Sequence, residues 1–257
     1  GQFLWPRQRR DDGKFFGFNK KELSRIRSQY LDQSKFQSQY YNRASDPEDK
    51  RISNFNYYDR KNLIEIGKGS WQISERKLNV YAAIDFAATI TKKADYTAIA
   101  VIGVDSKNHI YILDMSRFKT DKISVMKDEL NKLYTKWNWL KLKAEVNAQQ
   151  NLIVEQIMEF NRNEGIYYTI EKGVAKGEKA IRILSTLEPR YAAGHILHYR
   201  GGNCQLLEDE LIATKPSHDD LSDALASVVE IAVPPSMRGR SSKNSNVIYN
   251  TKFGGVG

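Results

Sequence analysis

"YAAIDFAATITKKADYTAIAVIGVD", residues 81–105, reads as a strand, a polar break and a second strand. The first apolar run, Val80 to Ile84, stops at a carboxylate, Asp85, and a second run occupies 97–104. An unpaired charge at the end of a buried strand is strongly unfavourable. Another part of the chain has to supply the compensating partner, or an ion does.

Outward from this stretch, 78–85, 97–104 and 110–115 read as three successive strands, with "DSKNH" at 105–109 as the tight turn between the last two. Residues 121–137 form a helix whose Ile123, Met126, Leu130 and Leu133 fall on one stripe. A strand at 140–146, a helix at about 152–163 ended by Gly165, and a fifth strand at 166–170 follow. Next come a helix near 179–187 before Pro189, an extended piece at 196–199 and a short helix at about 204–212. A closing helix at 219–233 runs up to Pro234 and Pro235. The order predicts an α/β fold with a mixed β-sheet, antiparallel in its first three strands and parallel afterwards, covered by helices on both faces. No internal repeat is seen.

The 257 residues are 28% charged and 40% hydrophobic, with a net charge of +9. Residues 1–60 hold 13 Lys/Arg against 8 Asp/Glu, the tail 234–257 holds four basic residues and no acidic one, and 61–233 is neutral. A neutral middle between positive arms suits a polyanion such as nucleic acid. One cysteine, Cys204, excludes an intrachain disulfide, fits a reducing, intracellular setting and, with four scattered histidines, argues against a zinc site. No apolar run is long enough to cross a bilayer, nothing reads as a signal peptide, and Gly1 reads as the start of a fragment. Residues 1–77 read as an arm, with a helix from Lys20 that Asn19 and Glu22 cap reciprocally. Residues 78–233 are the ordered domain, and 234–257 a basic tail expected to be disordered alone.

Three acidic sites lie at element ends: Asp85, Glu145 in "LKLKAEVNA", and Asp219, Asp220 and Asp223 in "HDDLSDALASVVEIAV". Ser217 or His218 can cap the closing helix, and acids in a first turn suit its macrodipole. But Asp219 and Asp223, and Asp220 and Asp223, share a helix face, and no Lys or Arg lies between His218 and Pro234. Singly, each acid is more simply structural. Together they sit on elements that the topology brings to one point, as a site holding two Mg²⁺ or Mn²⁺ ions ~4 Å apart requires. Asp85 is therefore expected to be a metal ligand.

This set, "VYAAIDFAATITKKADYTAIAVIGVD", "KAEVNAQQ", "KGEKAIRILSTLEPRY" and "HDDLSDALASVVEIA", resembles the nuclease domain of the large terminase subunit of T7-like bacteriophages, of the ribonuclease H/RuvC-like superfamily. The resemblance implies a ribonuclease H-like fold and a metal-dependent endonuclease that cleaves concatemeric viral DNA at the start and end of genome packaging. It implies two Mg²⁺ or Mn²⁺ ions held by Asp85, Glu145 and one or both of Asp220 and Asp223. Asp219 and Asp95 are further candidates; Asp95 reads equally well as a turn residue before a strand. Lys172, Lys176, Lys179 and Arg182 would line the DNA backbone, where composition alone would make them a solvated face.

Implied partners are double-stranded DNA, the portal protein, the small terminase subunit and the protein's own ATPase domain. The implied location is the host cytoplasm, in a packaging intermediate rather than the mature virion. The arm resembles the segment joining ATPase and nuclease. No G-x-x-x-x-G-K-[ST] loop occurs here, since "IGKGSW" and "GVAKGEKA" have the wrong spacing, so no ATPase activity is expected. A RuvC-type Holliday-junction resolvase and a non-catalytic DNA-binding or assembly module are the alternatives.

Overall fold

The structure, a computed structural model, describes residues 5–27, 39–40, 52–87, 96–173, 178–213 and 216–236. A small hairpin of β1 (Gln8–Arg9) and β2 (Phe15–Phe16) precedes α1 (Lys20–Arg27). The expected reciprocal cap is present: the Glu22 amide donates to Asn19 Oδ1 at 2.8 Å and the Asn19 amide to Glu22 Oε2 at 3.3 Å. After β3 (Asn56–Tyr57) comes a three-stranded antiparallel sheet of β4 (Leu63–Gly67), β5 (Ser70–Ile73) and β6 (Arg76–Lys77).

The central strands follow: β7 (Asn79–Asp85), β8 (Thr97–Val104) and β9 (Ile110–Phe118). The remaining elements are α2 (Ile123–Trp137), β10 (Lys141–Glu145), α3 (Ala148–Asn163), β11 (Ile170–Gly173), α4 (Lys179–Ala192), β12 (Ile196–His198), α5 (Asn203–Ile212) and α6 (Asp220–Ile231). They build one seven-stranded sheet in the order β11-β10-β7-β8-β9-β12-β3. The pairs β7–β8 and β8–β9 are antiparallel, whereas β10 pairs parallel with both β7 and β11. This is the expected mixed sheet, antiparallel across its first three strands and parallel at β10. All eight residues of β8 are buried. Successive side chains of a strand point to opposite faces, so both faces are covered. On one side α6 lies against β7 and β8 with α4 and α5 beside it; α2 and α3 pack together.

Four elements differ from the sequence expectation by three residues or more; one is β9, which runs to Phe118 rather than 115 because Met115 to Phe118 stay paired with Thr97 to Ala100 of β8. The fifth strand lies at Ile170–Gly173 rather than 166–170, because β10 pairs with Ile170 to Gly173. Helix α3 begins at Ala148, where Asn147 and Gln150 form a capping box over a first turn lacking an apolar signal. Helix α4 runs through Pro189 to Ala192, its last turn anchored by buried Tyr191. In the arm, Asn56–Tyr57 joins the main sheet beside β12. Among the described residues no helix is long and apolar enough to cross a membrane.

Tyr191 ends in a buried network at the corner of β12 and α5. Its hydroxyl lies 2.7 Å from His198 Nε2, while His198 Nδ1 lies 2.9 Å from Glu208 Oε1 and 3.3 Å from Cys204 Sγ. His198, Cys204 and Glu208 each bring a ligand atom within 4.8 Å of the others. Hydrogen bonds already satisfy these atoms, so the network is explained without an ion. Burial pushes the His198 imidazole down to about 4. Glu208 opposes this to the extent that it is ionised, and burial raises its carboxyl too. Between pH ~6.5 and ~4 the native state therefore binds fewer protons than the unfolded chain, so stability falls as pH drops through that window. Urea unfolding of the wild type between pH 7 and 4.5 should lose up to about 3 kcal/mol more than that of His198→Gln.

Candidate active site

The parallel register of β7 and β10 sets the geometry. Glu145 is the direct partner of Asp85, so both carboxylates leave the carboxyl ends of adjacent strands on one face. The first turn of α6 is brought to the same place because Leu221, Ala224, Leu225 and Val228 are buried against the sheet. Asp220 and Asp223 are thereby buried too, at 6% and 3% exposure. The N-cap is Asp219, in place of Ser217 or His218, and it makes no side-chain cap bond. Instead the Ser222 amide donates to Glu210 Oε2 of α5 at 3.0 Å, and Arg117 holds Glu210 Oε1 at 3.0 Å. A carboxylate from another helix thus satisfies one of the orphan amides of α6.

Cations also reach this cluster. Lys179 Nζ lies 2.9 Å from Asp219, 3.1 Å from Asp223 and 3.4 Å from Asp85. Arg182 pairs with Glu145 through one nitrogen and with Asp223 through another at 2.5 Å. The closing helix indeed carries no Lys or Arg, but α4 packs beside it and presents these two residues, i and i+3, from one face. Another part of the chain, α4, thus supplies compensating charge to Asp85 and to the acids of the closing helix. Lys143 stands 3.6 Å from Glu145 and 2.6 Å from Glu230, and the Ser227 hydroxyl donates to Glu145 at 2.6 Å.

The protonation equilibria follow this arrangement. Burial, with Asp223 and Asp220 adding to it, pushes Asp85 up to about 7 against the pull of Lys179. Burial likewise raises Asp223 despite Lys179 and Arg182. At Glu145 burial also pushes upward, but Ser227, Arg182 and Lys143 outweigh it and hold the carboxyl below its usual range. Burial disfavours the Lys179 ammonium, yet Asp85, Asp223 and Asp219 raise its pKa well above that of a free lysine.

The fold therefore brings together Asp85, Glu145, Asp219 and Asp223 through two shared cations. Asp220 lies alongside, 3.9 Å from His218 Nδ1. Of the residues expected along DNA, Lys179 and Arg182 are in this cluster, and Lys172 pairs with Glu155 at 3.2 Å. Asp95 and Lys176 lie outside the described residues. Ser227, Glu210 and Arg117 were not anticipated. Ser227 stands one turn after Asp223, a spacing that could have marked it. Glu210 and Arg117 come from separate elements and give no local signal.

The donor set is all carboxylate, the hard-oxygen chemistry that suits Mg²⁺ or Mn²⁺, with Asp85, Glu145, Asp220 and Asp223 as the residues that would hold the metal. Among the described residues, however, the ligand atoms within 4.8 Å of one another are those of His198, Cys204 and Glu208. The carboxylates stand around the Lys179 and Arg182 nitrogens.

No family model matches the chain, and no curated protein does. Among solved structures, the chain is similar to the large terminase nuclease from thermophilic phage G20c. The identity is 16% over 70% of this chain and 94% of that one, with a TM-score of 0.46. For the HK97 bacteriophage large terminase the identity is 12%, over 84% of this chain and 51% of that one, with a TM-score of 0.45. T. thermophilus RuvC in complex with Holliday junction substrate is 13% identical over 58% of this chain and 90% of that one, with a TM-score of 0.33.

Removing one partner from a buried ion cluster leaves an uncompensated charge. Arg182→Ala, which strips Glu145 and Asp223 of a largely buried guanidinium, should lower unfolding stability at neutral pH by about 3–5 kcal/mol without divalent ions, measured by denaturant titration.

Proposed function

We propose that this chain is a divalent-metal-dependent endonuclease acting on duplex DNA, the nuclease part of a large terminase that cuts concatemeric viral DNA during genome packaging. One observation carries the reading: the register of β7 and β10 and the first turn of α6 gather carboxylates from three distant stretches of sequence, half-buried at Asp85 and buried at Glu145, Asp220 and Asp223, at one end of the sheet. A protein that needed these acids only for stability would do better with apolar residues of similar volume, because burying charges costs more than their pairing returns in many cases.

Asp85, Glu145, Asp220 and Asp223 would hold the metal, which supplies an acidified water and charge stabilisation at the phosphate. The reaction is hydrolysis: the water oxygen bonds to phosphorus, the phosphorus–O3′ bond breaks, and the leaving 3′-oxygen takes up a proton. Ser227 and Lys143 orient Glu145 for this task. Glu210 and Arg117 fix the start of α6 and hence Asp220 and Asp223. The positive arms would hold the DNA backbone. With no helix presenting a base-reading face in the sequence, little sequence specificity is expected. In this reading the portal protein, the small terminase subunit and an ATPase domain are the working partners in the host cytoplasm.

Two measurements test this. Supercoiled plasmid incubated with Mn²⁺ should be nicked by the wild type. Asp85→Ala and Glu145→Ala should each lose more than about 100-fold of that rate, since even outer-shell partners of metals are commonly worth 10–100-fold. Unchanged rates in both variants would end the nuclease assignment. Binding to linear duplex should weaken steeply between 50 and 200 mM salt, with a slope reporting the number of phosphates contacted. Marked preference for four-way junctions over linear duplex would favour the resolvase instead.

A further inference from the structure

Asp85, Ala98 and Arg117 are partners across three adjacent strands, β7, β8 and β9. Partnered residues share a face, so the row that carries Glu145 and Asp85 continues onto β9. At the same end of the sheet, Tyr96 stands just before β8 and Lys119 just after β9. Lys119 Nζ lies 4.5 Å from the centre of the Tyr96 ring, and Arg117 Cζ lies 4.6 Å from it. The His218 ring meets the same ring nearly at a right angle, with 4.9 Å between centres. Tyr96 is thus fixed by β9 and by the residue that leads into Asp219 and α6.

Two groups in this cluster are left over. Arg117 is committed to Glu210 at 3.0 Å. Lys119 is exposed, and among the described residues no carboxylate pairs with its ammonium. The Tyr96 hydroxyl likewise makes no hydrogen bond among them. A lone exposed lysine is ordinarily a solvated charge of little consequence. Here the ammonium is docked on a fixed aromatic ring that carries a free phenol. A cation and a neutral O–H donor, with no acid beside them, match the oxygens of a nucleic-acid phosphate.

Two strand spacings of ~4.8 Å and two residues of ~3.4 Å put this cluster on the order of 12 Å from Asp85. That is too far to share the phosphate being cut, and equals about three or four nucleotides at ~3.4 Å per step of a duplex strand.

On the nuclease reading, on which this inference rests, we propose that Lys119 and Tyr96 seat a backbone phosphate of the bound DNA on the β9 side of the carboxylates. Arg117 and His218 hold the Tyr96 ring in place for it. The seat strengthens binding of the substrate and its transition state alike, so its loss appears in KM and not in kcat. It selects no base.

Mn²⁺-dependent plasmid nicking by the full chain, with fluorescence anisotropy on a linear duplex in Ca²⁺, tests this. Lys119→Gln should raise KM about 5- to 10-fold, as expected for one charge-assisted contact, with kcat within about 2-fold of wild type. Between 50 and 200 mM salt its plot of log affinity against log salt should be shallower by about 0.9, the share of one phosphate. Lys119→Arg should keep both wild-type values. Tyr96→Phe should raise KM about 2- to 5-fold without changing the slope, because it removes a donor and no charge. Lys107→Gln, an exposed lysine in the turn at the far end of β8 and β9, should change none of these. An unchanged KM and slope in Lys119→Gln, or a loss confined to kcat, overturns the proposal while wild-type nicking leaves the nuclease reading intact. A wild type that neither nicks nor binds duplex removes that reading and the seat with it.

Discussion

The parallel pairing of β7 with β10 is the constraint on which the rest depends. In a parallel pair the carboxyl ends of both strands lie at the same edge, and partnered residues point to the same face. Asp85 and Glu145 are partners, so the pairing that holds the centre of the sheet also places two acids side by side. A slip by one residue would turn one of them into the opposite layer. The packing of the apolar run Val80 to Ile84 beside Leu142 and Ala144 therefore holds the chemistry in place as well.

Helix α6 answers to the same logic. Its buried face is mostly small or aliphatic, which lets it lie close on β7 and β8; polar groups gather in its first turn, with Ser227 one turn further on. The desolvation of Asp220 and Asp223 is imposed by the packing that holds the helix. Their cost is offset from outside the helix: Glu210 closes an amide, Arg182 and Lys179 supply charge, and Arg117 keeps Glu210 in place. Three elements, β9, α4 and α5, thus converge on one helical turn.

How much of this was legible depends on the range of each interaction. Strands with strong β-branched runs, such as Thr97–Val104, and the helix stripe of Met126, Leu130 and Leu133 declare themselves within a dozen residues. The acids were legible as a set because each interrupts an apolar pattern at an element's end. The start of α3 was not, since Ala148-Gln149-Gln150 has no apolar periodicity and the helix begins there through the Asn147 cap. Pro189 suggested a stop, yet α4 continues past it because Tyr191 is tied to His198. Most consequentially, the partners of the acids lay some forty residues upstream of the closing helix. A search for counter-charges confined to that helix had no means of finding Lys179 and Arg182, whose spacing also fits an ordinary surface turn.

The edges of the sheet have a consequence of their own. At one end stands β11, four residues long, with Glu171 and Lys172 facing outward and Glu171 bound to Lys141. At the other stands β3, only two residues long, drawn from the arm. An incoming strand would find too few free amides and carbonyls at either border to pair with, and charge at one of them. The described borders of the seven-stranded sheet are thereby guarded against growth by strand addition.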